Sequence, residues 1–134
     1  MNDIRINNDS LNFHKKKLSL LNLKKLDLSQ NKMEDTSFEL FGDILGINYG
    51  RNSLSVNLKE LNLSKNNIKS YNSEAFCLQL VKNKTMTHLI LNNNYFSEGS
   101  CFYHFKYMLS HNWTITHLSL RNCFENQLDL KILG

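Results

Sequence analysis

The 134-residue sequence lacks proline entirely and has few of the residue patterns that mark particular protein classes. Its three cysteines are odd in number and lack the spacing of a zinc module, which argues against a disulfide framework and a zinc site. The longest apolar stretch, around Leu18 to Leu23, is far short of the roughly 20 residues that span a bilayer. The formal net charge is only +4, and the one basic run is Lys15 to Lys17. With no arginine-rich stripe among aromatics, nucleic acid is not an expected partner.

Signals for secretion and catalysis are also missing. The first residues have neither a basic n-region nor an apolar h-region, so the sequence predicts no signal peptide. Reduced thiols in an intracellular protein are the simplest interpretation of the cysteines, and we expect a cytoplasmic location without a membrane partner. The chain shows no nucleophile with a base and an orienting group, no glycine-rich phosphate loop and no paired carboxylates. We therefore expect neither an enzyme nor a bound cofactor.

Four segments share one strand signature, with leucine-type residues at fixed spacing followed by Asn or Cys. They are Leu23–Met33, Leu58–Ile68, Met86–Phe96 and Ile115–Cys123. This L-x-x-L-x-L-x-x-N/C-x-L pattern resembles the leucine-rich repeat. Alternation along a short strand turns the leucines inward, and the Asn amide can bond backbone groups left unpaired at the buried bend. The resemblance implies a recognition scaffold and does not itself supply a chemistry.

Between the strands the apolar spacing changes from 2 to 3.6, which predicts helices behind the sheet. We interpret each apolar stripe as core packing rather than as a ligand pocket, because its spacing suits a helix that packs on the sheet. The three predicted faces are Phe38, Phe41, Ile44 and Leu45; Ala75, Leu78 and Val81; and Cys101, Phe102, Phe105, Met108 and Leu109.

The repeat length indicates a subclass. The repeats that start near 58 and 86 are 28 and 29 residues long, and the segments Leu80–Leu91 and Leu109–Leu120 resemble the L-x-x-N-x-T-L-T-x-L-x-L junction of ribonuclease-inhibitor-like repeats. The resemblance implies an α/β fold, a right-handed leucine-rich-repeat solenoid with helices on its convex face. We count five short parallel strands on the concave face. The longer interval before Leu58 is assigned to a loop insertion that begins near Gly46.

We expect a single leucine-rich repeat domain over residues 1–134. Its degenerate first repeat covers 1–21, with Ile4 and Ile6 in the leucine positions, and further repeats start near 23, 58, 86 and 115. A short C-terminal tail covers 124–134. No polar cap is evident at Met1, and the tail is too short for another repeat with its helix. Terminal repeats need a cover because their stacking faces are apolar, so either the tail supplies a minimal cap or a partner or missing chain covers the ends.

The outward strand positions form rows across the predicted concave face. One row reads Asp3, Lys25, Glu60, His88 and His117, whose alternating charges favour cross-strand pairing in its N-terminal half. The predicted partner-binding residues lie in the C-terminal half and are His88, Ile90, His117 and Arg121. The two histidines alone do not predict a metal site, because such sites take at least three protein ligands.

Trp113 is the fifth candidate partner-binding residue. It lies between the junction Asn and Thr, where side chains face solvent, and a lone Trp there fits an interface anchor. Packing of the ring against its own turn is an equally good interpretation. Tyr95 is a weaker candidate of the same kind.

Together these features predict a non-catalytic protein–protein interaction module that binds a protein partner through the concave sheet face. The alternative is a structural subunit of a larger cytoskeletal or axonemal assembly, whose partners would cover the open solenoid ends. The sequence does not identify the partner.

Overall fold

The computed structural model describes residues 2–3, 23–46, 57–69, 73–96 and 99–124. Numbered in chain order within these ranges, the strands are β1 (Asn2–Asp3), β2 (Lys25–Asp27), β3 (Glu60–Asn62), β4 (His88–Ile90) and β5 (His117–Ser119), and the helices are α1 (Asp35–Leu45), α2 (Ser73–Lys82) and α3 (Gly99–His111). None of these helices is both long enough and apolar enough to cross a bilayer. The predictions for Ile4, Ile6, the inserted loop after Gly46 and the tail beyond Phe124 lie outside the described residues.

The strands form one parallel sheet in the order β1-β2-β3-β4-β5. From β2 to β5 the central leucines share one row, Leu26, Leu61, Leu89 and Leu118, which confirms the alignment of those four repeats. The first three are buried and the fourth is partly buried against the same core. Parallel neighbours need a long crossover, and the helices provide it while covering the apolar face of the sheet.

The predicted register of β1 is wrong. The structure pairs Asn2 with Leu26 and Asp3 with Asp27, so Asp3 shares a row with Asp27 rather than with Lys25. The difference is two residues, which preserves the alternation of faces along a strand. The apolar pair Ile4 and Ile6 favoured the predicted register, whereas the structure places the polar Asn2 opposite Leu26.

Two of the predicted helix faces are confirmed and one is wrong. The predicted residues of α1 are buried, as are those of α3 except the partly buried Leu109. On α2, however, Phe76, Cys77 and Leu80 are buried. Of the predicted residues, Val81 is partly buried against the core, whereas Ala75 is exposed and Leu78 is 45% exposed. The bulky Phe76 and Leu80 are four residues apart on one face and bury more apolar area than the predicted set.

The close approach of α1 and α2 explains why Phe76 takes the core position. Its ring stacks on Phe38 with centroids 3.8 Å apart and an angle of 20° between the planes. On the facing side of α1, a Cβ added at Gly42 would lie only 3.0 Å from the Phe76 Cα. The absence of a side chain at Gly42 therefore lets the two helices meet.

Buried asparagines link successive repeats where the chain leaves each strand. Asn66 Oδ1 accepts from the Asn31 and Met33 amides at 2.8 and 3.1 Å, and Asn66 Nδ2 donates to the Leu28 and Leu63 carbonyls at 3.0 and 2.9 Å. Asn94 forms similar bonds one repeat later, and the Cys123 thiol donates to the Leu91 carbonyl at 3.0 Å. The predicted role of the Asn/Cys position is thus confirmed.

Candidate functional site on the concave face

Two rows of outward residues cross the sheet from β2 to β5. The register places Lys25, Glu60, His88 and His117 in the first row and Asp27, Asn62, Ile90 and Ser119 in the second. Adjacent parallel strands lie about 4.8 Å apart, so neighbours within a row are in contact range. This part of the predicted arrangement is confirmed.

The first row consists of neighbours that pair with one another. Lys25 Nζ lies 3.5 Å from Glu60 Oε2, and His88 Nδ1 lies 3.7 Å from Glu60 Oε1. The rings of His88 and His117 stack in parallel, with centroids 4.1 Å apart and 7° between the planes. In the N-terminal half of this row the charges of Lys25 and Glu60 therefore compensate each other. In the C-terminal half the two stacked histidines form a flat aromatic surface.

Two threonines orient the stacked rings. Thr87 Oγ1 lies 2.8 Å from His88 Nδ1 and donates to the Lys59 carbonyl at 3.2 Å, and Thr116 makes the equivalent pair of contacts in the next repeat. Each hydroxyl therefore holds its ring at the Nδ1 edge, and the direction of that hydrogen bond depends on the tautomer of the ring.

The histidine pair lacks further metal ligands. Among the residues that the structure describes, no three His, Cys, Asp or Glu side chains gather in an arrangement that could hold a metal ion. Glu60 is adjacent, but it faces the Nδ1 edge of His88, which Thr87 also contacts. This geometry suits hydrogen bonding to a partner better than coordination.

Ile90 lies beside the stacked pair, partly exposed on an otherwise polar face. It lines a shallow depression of about 170 Å³ whose other outward residues include Lys25, Asp27, Glu60 and Asn62. The depression combines one apolar side chain with polar groups, which is a common composition for a recognition surface.

The structure brings three of the five predicted partner-binding residues together. His88, Ile90 and His117 lie on the adjoining strands β4 and β5, and exposed Arg121 follows β5 with its amide bonded to Asn92 Oδ1 at 2.7 Å. Trp113 lies apart, on the loop between α3 and β5. Its side chain is 90% exposed, so the ring does not pack against its own turn. Tyr95 is 56% exposed in the turn after β4.

A groove on the convex side was missed by the sequence reasoning. It lies between α2 and α3, has a volume of about 300 Å³, and is lined by Glu74, Cys77, Leu78, Tyr103, His104 and Tyr107. Cys77 is buried at this groove, and burial raises the pKa of its thiol well above the usual value. The sequence feature that could have predicted this groove is the pair Tyr103 and Tyr107, which lie four residues apart on the polar face of α3.

Comparison with known proteins supports the repeat assignment. The family described as Leucine Rich Repeat matches residues 22–44 and 57–78. No curated protein sequence matches the chain significantly. Among solved structures, the chain is similar to one titled "Leiomodin-1 Actin-Binding Site 2 (ABS2)", with a TM-score of 0.73 and 18% identity over 98% of this chain and 75% of that one. At this identity the similarity shows the fold alone. The two matched segments, the parallel sheet with helices and the shared fold together support a leucine-rich repeat protein.

Proposed function

We propose that the chain is a non-catalytic protein-interaction module that binds a partner protein through the C-terminal half of its concave face. The contact residues are His88, Ile90, His117 and Arg121, with Trp113 as a further contact on the adjoining loop. The observation that carries the proposal is the parallel stack of His88 and His117 beside partly exposed Ile90. Leucine-rich repeat scaffolds use extended concave surfaces for binding, which supports this location.

The energetics favour the C-terminal half. Burying the exposed remainder of Ile90 would contribute part of the about 1.5–3 kcal/mol that complete burial of such a side chain gives, and the two imidazole rings and the Arg121 guanidinium would orient the partner. In the N-terminal half, a partner would have to displace water from Lys25 and Glu60, which already pair with each other at 3.5 Å. That desolvation offsets most of what new contacts there could gain.

The test is the double variant Ile90→Glu with Arg121→Glu, compared with Lys106→Glu with Tyr107→Glu on α3. Both pairs change one apolar and one basic residue to Glu, so the change in charge is the same, and Lys106, Tyr107 and Arg121 are exposed. Proteins retained by the wild-type chain from its native cell extract are quantified by mass spectrometry. We expect the concave variant to lose the specific partner and the α3 variant to keep it. Equal retention by both variants would place the contact elsewhere.

We also propose the finer features of the fold: a right-handed solenoid of the ribonuclease-inhibitor-like subclass, in one domain over residues 1–134, in a cytoplasmic protein. Two junctions support the subclass, since Asn83 Oδ1 accepts from the Thr85 and Met86 amides at 3.0 and 2.8 Å, and Asn112 Oδ1 does the same for Thr114 and Ile115 at 2.9 and 2.8 Å. Crossovers between parallel strands are right-handed in about 98% of cases, which supports the handedness.

A structural subunit of a cytoskeletal or axonemal assembly is the second candidate. The similar leiomodin structure is titled as an actin-binding site, and that title is compatible with either function. Size-exclusion chromatography with light scattering separates the two. A monodisperse monomer favours the free interaction module, whereas obligate association favours the assembly subunit.

A further inference from the structure

The described residues that immediately precede strands β2 to β5 carry charge of a single sign. Within the described junction segments 23–24, 57–59, 82–87 and 111–116, every formally charged side chain is a lysine. These are Lys24, Lys59, Lys82 and Lys84, and all four are exposed. Helix α1, in contrast, carries Asp35, Glu39 and Asp43 and no lysine or arginine. The junction segments and helix α1 therefore carry opposite charge.

Backbone and side-chain contacts place these lysines next to one another across the repeats. The Lys59 amide donates to the Lys24 carbonyl at 2.7 Å. Thr85, which follows Lys84, donates from its hydroxyl to the Leu58 carbonyl at 3.3 Å. The lysines from distant parts of the sequence thus form one continuous rim at the start of the strands.

The positive charge of this rim is not neutralised by the described residues. Lys24, Lys59 and Lys82 form no ion pair with a described carboxylate, and Lys84 Nζ donates to the Val81 carbonyl at 3.2 Å. Glu60, the acidic residue next to the rim, points along the concave row and pairs with Lys25 and His88. An anionic partner would therefore meet lysine charges that no described carboxylate compensates, and such charges steer association and add attraction at close range.

Trp113 extends the rim by one repeat. It occupies the position of Lys84 in the next junction, between Asn112 and Thr114. Asn112 fixes this loop by donating to the Leu80 and Asn83 carbonyls at 2.7 and 3.0 Å and by accepting from the Thr114 and Ile115 amides. The 90% exposed indole is thus held on a rigid loop, and a partner that covers it would pay little ordering entropy.

We propose that this junction rim, formed by Lys24, Lys59, Lys82, Lys84 and Trp113, docks an acidic segment of a partner protein. The carboxylates of the segment contact the lysines, and an apolar side chain packs on the indole of Trp113. The inference goes beyond the proposed concave contact: the two surfaces share Trp113, but the rim lies at the start of the strands, takes its charge from the four lysines and includes neither Ile90 nor Arg121.

A protein segment fits this surface better than a nucleic acid does. The described junction segments contain no arginine and two exposed rings, Trp113 and His111, and the His111 ring already stacks on Tyr107. Surfaces for single strands instead combine a basic groove with several rings that stack on successive bases. One isolated, preorganised Trp is instead typical of the central anchor in a protein interface.

The probe is a fluorescein-labelled peptide of about 16 residues that repeats Glu-Glu-Leu-Glu, which at about 3.3 Å per residue is long enough to cross several repeats. Binding is followed by anisotropy and, with unlabelled peptide, by the emission of Trp113, the only tryptophan of the chain. We expect saturable binding that weakens as salt shortens the Debye length from about 10 Å at 0.1 M to about 3 Å at 1 M. We also expect a blue shift of the Trp113 emission.

Variants locate the site. Lys59→Glu with Lys84→Glu should weaken peptide binding by about tenfold or more. Lys32→Glu with Lys65→Glu makes the same charge change on exposed lysines beyond the other end of the strands, and it should change affinity by less than about threefold. The milder pair Lys59→Gln with Lys84→Gln should give an intermediate loss of peptide affinity. Because this pair removes charge without reversing it, it tests whether misfolding causes the larger loss, and circular dichroism checks the fold of each variant. Ile90→Glu with Arg121→Glu should leave peptide binding unchanged.

Three results would overturn the proposal. Equal weakening by both lysine-to-Glu pairs would mean that only net charge attracts the peptide. Saturable binding without a shift in Trp113 emission would place the peptide elsewhere. Tighter binding of a single-stranded oligonucleotide of equal charge, lost in the Lys59→Glu with Lys84→Glu variant, would assign the rim to nucleic acid.

Discussion

Replacing Asn66 by alanine tests the hydrogen bonds that join successive repeats. The buried amide bonds two backbone amides, of Asn31 and Met33, and three backbone carbonyls, of Leu28, Leu63 and Ser64. Alanine removes all five bonds and leaves the Asn66 backbone in place, and the Ser64 carbonyl keeps its bond from the Gln30 amide at 3.0 Å. The variant therefore measures the polar link between two repeats rather than the leucine core.

The expected loss follows from the groups left without a partner. The Leu63 carbonyl still accepts from Asn94 Nδ2 at 3.0 Å, so three groups are orphaned: the Asn31 and Met33 amides and the Leu28 carbonyl. An unsatisfied buried group costs about 1–3 kcal/mol, and water that enters the space of the lost amide recovers part of this cost. We expect the free energy of unfolding to fall by about 3–5 kcal/mol.

Urea unfolding followed by circular dichroism measures this change, with Asn67→Ala as the matched control. Asn67 is adjacent and exposed, and its backbone amide bond to the Met33 carbonyl survives the substitution. We expect the control to stay within about 0.5 kcal/mol of the wild type. If Asn66→Ala also stayed within that range, the asparagine bonds would not stabilise the stack and the reasoning would be wrong.

The sequence predicted the sheet from β2 to β5 because leucine spacing and strand alternation are local properties. Leu26, Leu61, Leu89 and Leu118 share a row since each follows the same pattern, whatever the length of the helix between them. The apolar pattern gave a wrong prediction where more than one helix face fits it. On α2 two apolar faces have helical spacing, and the choice of Phe76 depends on its packing against Phe38 across α1, a long-range contact.

The candidate site was predictable only in part for a related reason. Alternation alone showed that His88, Ile90 and His117 lie on the outer side of the sheet. The stacking of the rings and their orientation by Thr87 and Thr116 depend on side-chain rotamers that the sequence does not specify. The sequence analysis did not predict the lysine rim, because its lysines come from separate junctions and form no local run of basic residues.

Two further predictions concern the core. Leu91→Ala should lower the free energy of unfolding by about 2–5 kcal/mol, because it leaves a cavity at a fully buried site. Leu78→Ala, at a 45% exposed site, should lower it by less than about 1 kcal/mol. A similar loss for both variants in urea unfolding would contradict the packing described. The other prediction is a loss of stability at alkaline pH. Burial raises the pKa of the Cys77 thiol well above 9.0, so between pH 9 and that raised pKa the unfolded chain binds fewer protons than the folded one. The contribution of Cys77 is therefore complete below about pH 9 and declines as the pH rises further. Cys77→Ala should reduce the drop in unfolding free energy between about pH 8 and about pH 10, while the lysines and tyrosines that also titrate there contribute equally to both proteins. An identical drop in the two would show that the folded environment does not favour the neutral thiol.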